Sequence, residues 1–508
     1  MTAVESKIAV SQGTSVVANA GPTETGGSVG AHTTRGVFWT LLFSIMNKVV
    51  AMGAQVGIAW FLSPKDIGLV ATATSVVGVL SLLLGGQLQR VLIQRQRSFE
   101  EDAGQVFWLS LGMNLALAGV IAVSATMLSR LFGDPKLKEL LWIVAAAIPL
   151  MAVPVAYGAK LFIDLRFKLM SVLAFGEGLI RNLGGVLLAG LGFGPSSLVI
   201  PLFFSSLFAC VVQRKAAGSI TFGRPNPLRW KPLLAPTFWL MITAFLTSGI
   251  GYGTNLIIAA SHPMEVAGLY YWGFSMSAQA VFLLVTNLQG ILFPAFASMG
   301  ESVERQRTAF EQTTAVLTLV VVPITCLQVL LAQPVVALLF QPRWLPAVPV
   351  IQWLSVGMLT QPLNVVGVAI LMARGEYRKT ACVTAVMALF TLAAALLGSH
   401  LGEEKQIAQL VSIATLVTNV LPGWTAYRSL GGDGRRLWHI LAGPILLGIP
   451  LAVFGFLVNE AVVRLNPLLR IFSVSLAAAV IYGALVRWRS PEFLTIVFLR
   501  LRQLREKK

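Results

Sequence analysis

Apolar residues run along this chain in long blocks separated by short stretches of Pro, Gly, Ser and charge. A helix needs about 20 predominantly apolar residues to cross a bilayer. Fourteen blocks meet that length, with approximate limits 36–62, 67–93, 104–132, 139–160, 169–193, 196–216, 236–261, 267–297, 308–331, 344–373, 379–400, 405–429, 437–459 and 466–487. The fold class predicted is an all-α polytopic membrane protein with about 14 transmembrane helices.

The pattern repeats. Residues 38–93 and 238–293 superimpose without gaps at an offset of 200, with 13 of 56 positions identical, among them Phe38/Phe238, Trp39/Trp239, Gly53/Gly253, Gly68/Gly268, Leu69/Leu269, Leu88/Leu288 and Gln89/Gln289. Several of these are polar or glycine, so hydrophobic bias alone does not produce the match. Internal repeats in a membrane protein are characteristic of transporters, whose substrate site lies where the halves meet.

Spans one to six form a first lobe at 36–216, and spans seven to twelve a second at 236–429. An even number of spans per lobe starts both copies on the same side, so the repeats are parallel, related by an axis along the membrane normal. The segment 217–235, basic and proline-rich, reads as a linker, and spans thirteen and fourteen as an appendix at 430–487. Residues 1–35 are rich in Ser, Thr, Gly, Ala and Val and read as a disordered tail. In 488–508, Leu494, Val497, Phe498, Leu501 and Leu504 fall at helical spacing opposite arginines, which suits either an interfacial helix on anionic lipid or a solvated basic tail.

Composition agrees with a bilayer protein: 56% hydrophobic and only 12% charged over 508 residues. The net charge of +17 raises the question of nucleic acid, but its placement answers it. With the N-terminus inside, one side collects about 28 Lys and Arg and the other about 8, which is the positive-inside asymmetry. Both termini are therefore expected in the cytoplasm, and no nucleic-acid partner is implied. The three cysteines, Cys210, Cys326 and Cys382, fall in predicted spans without a pairing pattern, and the four scattered histidines suggest no metal site.

Several stretches resemble the polysaccharide flippases of the multidrug/oligosaccharidyl-lipid/polysaccharide exporter superfamily, in particular the lipopolysaccharide and exopolysaccharide branch. They are FLSPKDIGLVATA after span one, GGQLQRVLIQR closing span two, FIDLRFKLMSVLAFGEGLIRNLGGVLLAGLGFGPSSLV around span five and FQPRWLPAVPVIQWLSVGM entering span ten. The resemblance runs from about 36 to 430. It implies two six-helix lobes arranged as a V, with a central cavity open alternately to each side. It also implies residence in the bacterial inner membrane, and an undecaprenyl-diphosphate-linked oligosaccharide as cargo. Partners would be membrane lipids and polysaccharide polymerase or export machinery.

Charged residues within spans cost roughly 2.5–3.5 kcal/mol at the helix centre on insertion scales, so those that stay face protein or water and often mark a pathway. Lys48 lies about a dozen residues into span one, with Gln55 seven further on and nearly on the same face. It either faces the cavity or snorkels to an interface about 18 Å away at 1.5 Å per residue. In span five, Glu177 and Arg181 are four apart in the favourable acid-before-base order. They either neutralise each other within the bundle, or Arg181 is held for an anionic substrate while Glu177 compensates it or takes part in coupling to H+ or Na+. An arginine fork matches diphosphate oxygens, and Lys48 supplies a second point charge.

Through the repeat, Gln55 matches Asn255 and Gln89 matches Gln289. These amides suit sugar hydroxyls as donors and acceptors and equally suit helix packing. No cofactor is implied. Within transport, a lipid II flippase or a cation-coupled drug antiporter is the alternative. From another class, a membrane glycan polymerase or glycosyltransferase is disfavoured, because the outer loops SPKDIG, GFGPSS and SHPMEVAG are short and sparsely charged.

Overall fold

The computed structural model describes residues 26–81, 86–220, 222–227, 230, 238–300, 302–464 and 466–489. Residues 1–25, most of the expected linker after 227 and the amphipathic tail from 490 onward lie outside the described residues. Every regular element among the described residues is helical. Twelve of the helical segments are long and apolar enough to cross a membrane. The remaining two expected spans, 67–93 and 267–297, coincide with further helical segments.

The first lobe comprises α1 (Gly26–Phe61), α2 (Pro64–Ser81), α3 (Gly86–Gln94), α4 (Phe99–Leu131), α5 (Lys136–Ala147), α6 (Ala152–Ile163), α7 (Phe167–Gly190) and α8 (Ser196–Ala217). The second comprises α9 (Phe238–Ser261), α10 (Met264–Ser298), α11 (Val303–Leu339), α12 (Val348–Gly357), α13 (Gln361–Ala373), α14 (Tyr377–Leu401), α15 (Glu404–Thr418) and α16 (Val420–Ser429). Helices α17 (Gly434–Ala461) and α18 (Pro467–Arg489) pack together against α11. Helix α1 begins ten residues ahead of the expected start, since a nucleated span propagates at one hydrogen bond per added residue.

The repeat read from the sequence recurs in the packing. Helix α1 lies on α7 and α7 on α8; their counterparts do the same, α9 on α14 and α14 on α15. The fourth span of each lobe is broken at its middle by a short 3₁₀ turn, Ile148–Met151 in one and Met358–Thr360 in the other. Pro149 within the first turn, and Pro362 just past the second, lack the N–H that would continue an α-helix. Even the turn after this span matches: Leu165, with φ 54°, stands where Gly375, with φ 70°, stands in the second lobe.

The lobes meet chiefly through α2, which packs against both α10 and α9. Gly68 and Gly268 lie at the crossing of α2 and α10, and a side chain on either would overlap the backbone of the other helix. Further along, Gly78 of α2 lies under the Tyr252 ring of α9. A core of Leu69, Val70, Ala73 and Val76 from α2 with Ile258, Met264, Ala267 and Tyr270 continues this contact, and helices α5, α12 and α15 close around it.

Candidate site between the lobes

Loops 62–63, 132–135, 262–263 and 340–347 lie at one end of the bundle, the far end; the opposite, near end carries the start of α1 and the end of α18. Helices α1 and α7 run side by side from near to far end. Thr40 and Ser171 hydroxyls are 3.0 Å apart, the Phe43 and Phe175 rings are 5.6 Å apart, Asn47 packs on Gly178, and Phe61 reaches Gly190. That register puts Lys48 level with about residue 179. At 1.5 Å per residue, Lys48, Glu177 and Arg181 fall within about 6 Å of depth, at the middle of α7.

The direction each side chain takes follows from its neighbours. The Gln279 side chain of α10 donates to the side-chain oxygen of Gln55, so Gln55 faces the second lobe. Lys48 is seven residues earlier, within about 20° on a helix of 3.6 residues per turn, and it is exposed. It therefore projects from nearly the face of α1 that carries Gln55. Helix α7 has two exposed flanks. One carries Val172, Leu183 and Leu187, at 40%, 48% and 67% exposure, an apolar stripe suited to lipid. Arg181 is exposed on roughly the opposite flank, with half-buried Glu177 one turn before it. Glu177 and Arg181 do not close an ion pair within 4 Å, and no other ion-pair partner within that distance is found for Lys48 or Arg181 among the described residues. Asn47, beside Lys48, keeps its side-chain oxygen buried without a hydrogen bond. The position matching Lys48 in the second lobe is Ser248, so the cationic character comes from the first lobe.

The amides divide. Gln55 bridges the lobes, while Asn255 is buried on α9. Gln89 lies against Gly158 of α6, with Gln213 of α8 beside it, inside the first lobe. The side chain of Gln289 lies outside the described residues.

At the far end, a set of residues the sequence reading had not singled out ties the lobes together. Arg343 donates to the carbonyls of Ala59 and Trp60, at 3.3 and 2.8 Å. Trp344 donates to the Ala59 carbonyl at 2.9 Å, Gln341 to the Trp60 carbonyl at 3.2 Å, and Trp60 returns a bond to the Leu339 carbonyl at 2.7 Å. These are the last carbonyls of α1, which lack helical partners and carry the negative end of its dipole. A guanidinium suits them on both counts. Trp344 is fully buried and packs on Trp272 at 4.7 Å between ring centroids. A second clasp, Lys65 to Asp134 at 2.9 Å, joins the first turn of α2 to the 132–135 loop within the first lobe. The hydrogen bond and charge of Asp134 raise the Lys65 ammonium above its ordinary pKa. Burial pushes the Asp134 carboxyl up, but the bonds from Lys65 and the Lys136 amide and the charges of both lysines outweigh it, and its pKa lies below the usual value.

Comparison with known proteins agrees with this architecture. The chain is 26% identical over 468 residues to the succinoglycan biosynthesis transport protein ExoT of Rhizobium meliloti (strain 1021), covering 89% of this chain and 92% of that protein. It is 21% identical over 449 residues to the lipopolysaccharide biosynthesis protein WzxC of Escherichia coli (strain K12), covering 84% and 88%. Among solved structures it is similar to the lipid II flippase MurJ in an inward closed conformation, with TM-score 0.72 and 10% identity over 89% of this chain and 99% of that one. It is also similar to an inward-facing multidrug resistance MATE family transporter of the MOP superfamily, with TM-score 0.61 and 16% identity over 76% and 94%. The profile of the polysaccharide biosynthesis protein family matches residues 58–349, more than half of the chain. The chain is thus a multi-pass membrane protein with the fold those two transporters share, and it belongs to the polysaccharide biosynthesis protein family.

Proposed function

We propose that this protein is an alternating-access flippase. Its cargo would be an undecaprenyl-diphosphate-linked oligosaccharide, moved from the cytoplasmic to the outer leaflet of the bacterial inner membrane for exopolysaccharide, capsule or O-antigen assembly. The observation that carries the reading is the presence at mid-depth of two exposed cations without an ion-pair partner among the described residues, Lys48 on nearly the face of α1 that carries Gln55 and Arg181 on the flank of α7 opposite its apolar stripe. A charge at that depth is expensive unless it meets water or an opposite charge, and a diphosphate supplies the latter. Arg181 offers a planar fork to phosphate oxygens and Lys48 a point charge. Glu177, one turn from Arg181, compensates it when the site is empty or takes part in coupling to H+ or Na+. Gln55, Gln279 and Asn255 are amides suited to sugar hydroxyls, and the polyprenyl tail stays in lipid.

The far-end contacts hold the lobes together on the side that the distribution of basic residues assigns to the outside. That is the arrangement of a carrier loading from the cytoplasm. Any driving ion must bind one state better than the other to bias the cycle. The names of the relatives, one a succinoglycan transport protein and one a lipopolysaccharide biosynthesis protein, support a glycan cargo.

The test is complementation in a strain deleted for its own flippase, reading glycan accessible at the outer leaflet. Wild type is expected to restore it, and Arg181→Ala and Lys48→Ala to fail at normal protein levels, with Arg181→Lys keeping partial activity. Full activity in both alanine variants would make these charges structural and remove the proposed site.

A further inference from the structure

At the near end of the first lobe, α8 stops at Ala217, and Gly218, at φ 76°, turns the chain back over the bundle. The returning segment is clamped in place. Phe222 stacks on Phe107 at 4.2 Å between ring centroids and meets the Tyr157 ring edge-on at 5.9 Å. Trp108 donates to the Gly223 carbonyl at 2.7 Å. Gln105 donates to the Arg224 carbonyl at 2.9 Å and accepts from the Asn226 amide at 2.7 Å. Beside this clamp is a cavity of about 620 Å³ lined by Tyr157, Val211, Arg214, Lys215, Ile220 and Phe222.

Its two cations have no protein counter-charge: among the described residues no carboxylate lies within 4 Å of Arg214 or Lys215. Other near-end cations are paired within the protein, Arg95 with Asp102 at 3.7 Å in the same lobe. Arg374 and Lys379 flank Glu376 at 3.6 and 3.0 Å, and Arg436 meets Glu311 at 2.8 Å. Arg214 and Lys215, by contrast, are left to meet an outside anion. The cavity lies within the first lobe, among α6, α8 and the returning segment, and has no part in the site between the lobes.

We infer that this cavity binds a phosphate group, presented by the headgroup of an anionic lipid. Its volume falls in the range of small-molecule sites, about 300–1,000 Å³, far more than a bare phosphate fills. Its remaining walls, Val211, Ile220, Phe222 and the Tyr157 ring, suit the glycerol and first acyl carbons. Basic pockets between helices at the inner face of a membrane are where anionic headgroups are selected.

The experiment is native mass spectrometry of the full-length protein carrying Arg181→Ala, so that the proposed site between the lobes does not contribute. Probes are phosphatidylglycerol, cardiolipin, phosphatidylcholine and inorganic phosphate. The anionic lipids are expected to be retained over phosphatidylcholine, and Arg214→Ala with Lys215→Ala to weaken them at least about tenfold. Val211→Trp, which fills the cavity and keeps both cations, is expected to do the same, and it carries the test if the double variant does not fold. Arg435→Ala, an exposed near-end cation elsewhere, serves as the control and leaves retention unchanged. Lipid held against millimolar inorganic phosphate assigns the group to a headgroup. Displacement by phosphate assigns it to a free anion, and both support phosphate recognition. Unchanged lipid retention in the double variant and in Val211→Trp, or equal retention of phosphatidylcholine, overturns the inference.

Discussion

Gly68 and Gly268, equivalent positions of the two repeats, lie backbone against backbone where α2 crosses α10. A side chain on Gly68 would overlap the Met264 carbonyl, and one on Gly268 would overlap the Pro64 carbonyl. The contact is reciprocal because it sits on the axis relating the lobes. Only small residues let two membrane helices approach this closely.

Gly68→Ala and Gly268→Ala are therefore each expected to wedge the lobes apart. Overpacking of this kind costs about 1–3 kcal/mol. A thermal melt in detergent should show both variants melting below wild type. Gly53→Ala, at a glycine also shared by the repeats but with open space around its Cβ position, should melt as wild type does. Equal melting of all four proteins would remove the glycine crossing from the lobe interface.

Arg343 is the far-end tie most open to test. Replacing it with Ala removes a charged donor from the Ala59 and Trp60 carbonyls and leaves them to Trp344 and Gln341. Loss of a charged hydrogen bond amounts to about 1.5–3 kcal/mol, enough to move a two-state balance by about tenfold or more. Pulsed spin-label distances across the far end should gain a longer component in Arg343→Ala. A distribution identical to wild type would mean these bonds do not hold that end closed.

Leu165 holds a left-handed conformation that its counterpart Gly375 adopts freely. Leu165 is 52% exposed, so little packing is lost on truncation. Leu165→Gly should be neutral or stabilising by up to about 1 kcal/mol, and Gly375→Leu destabilising by about 1–2 kcal/mol. Denaturant midpoints for the two variants check both signs. Destabilisation by Leu165→Gly of the size seen for Gly375→Leu would contradict the account.

The Lys65–Asp134 clasp carries a pH signature. Asp134 has a depressed pKa when folded, so its contribution is present above the ordinary carboxylate pKa and is lost as pH falls through the folded value. The raised pKa of Lys65 makes its contribution full below the ordinary lysine value and lost as pH rises through the folded one. Melting temperature of wild type relative to Asp134→Asn should thus be highest between these limits, with the difference starting to shrink as pH falls below about 4. A difference independent of pH would show that the clasp acts by shape alone.

How much of this was legible in the sequence depends on the kind of relationship. The repeat, the spans and the shared face of Lys48 and Gln55 follow from periodicity, which the helix fixes locally. The partner of Gln55 does not. The repeat pairs Gln55 with Asn255, yet across the lobes it meets Gln279, because a symmetry axis relates equivalent residues without bringing them together. Only residues on the axis, such as Gly68 and Gly268, touch their own equivalents. Arg343 and Trp344 sit in a short turn with no periodicity to read; the available signal was a basic residue on the side where Lys and Arg are scarce. Gln89 had a packing role open to it, and its place beside Gly158 and Gln213 fits that role. Glu177 and Arg181 stood at pairing distance by spacing, but spacing sets the distance between backbones and leaves the side-chain rotamers to their surroundings.

The most direct measurement is the affinity of the purified protein for an undecaprenyl-diphosphate-linked oligosaccharide, titrated at two salt concentrations for wild type, Arg181→Ala, Lys48→Ala and the double variant. The account predicts that each single change weakens binding about tenfold or more. It also predicts that the double change is weaker still and that the salt dependence shrinks as cations are removed. Equal affinity in all four proteins would contradict it, and would leave the charges between the lobes without a part in holding the cargo.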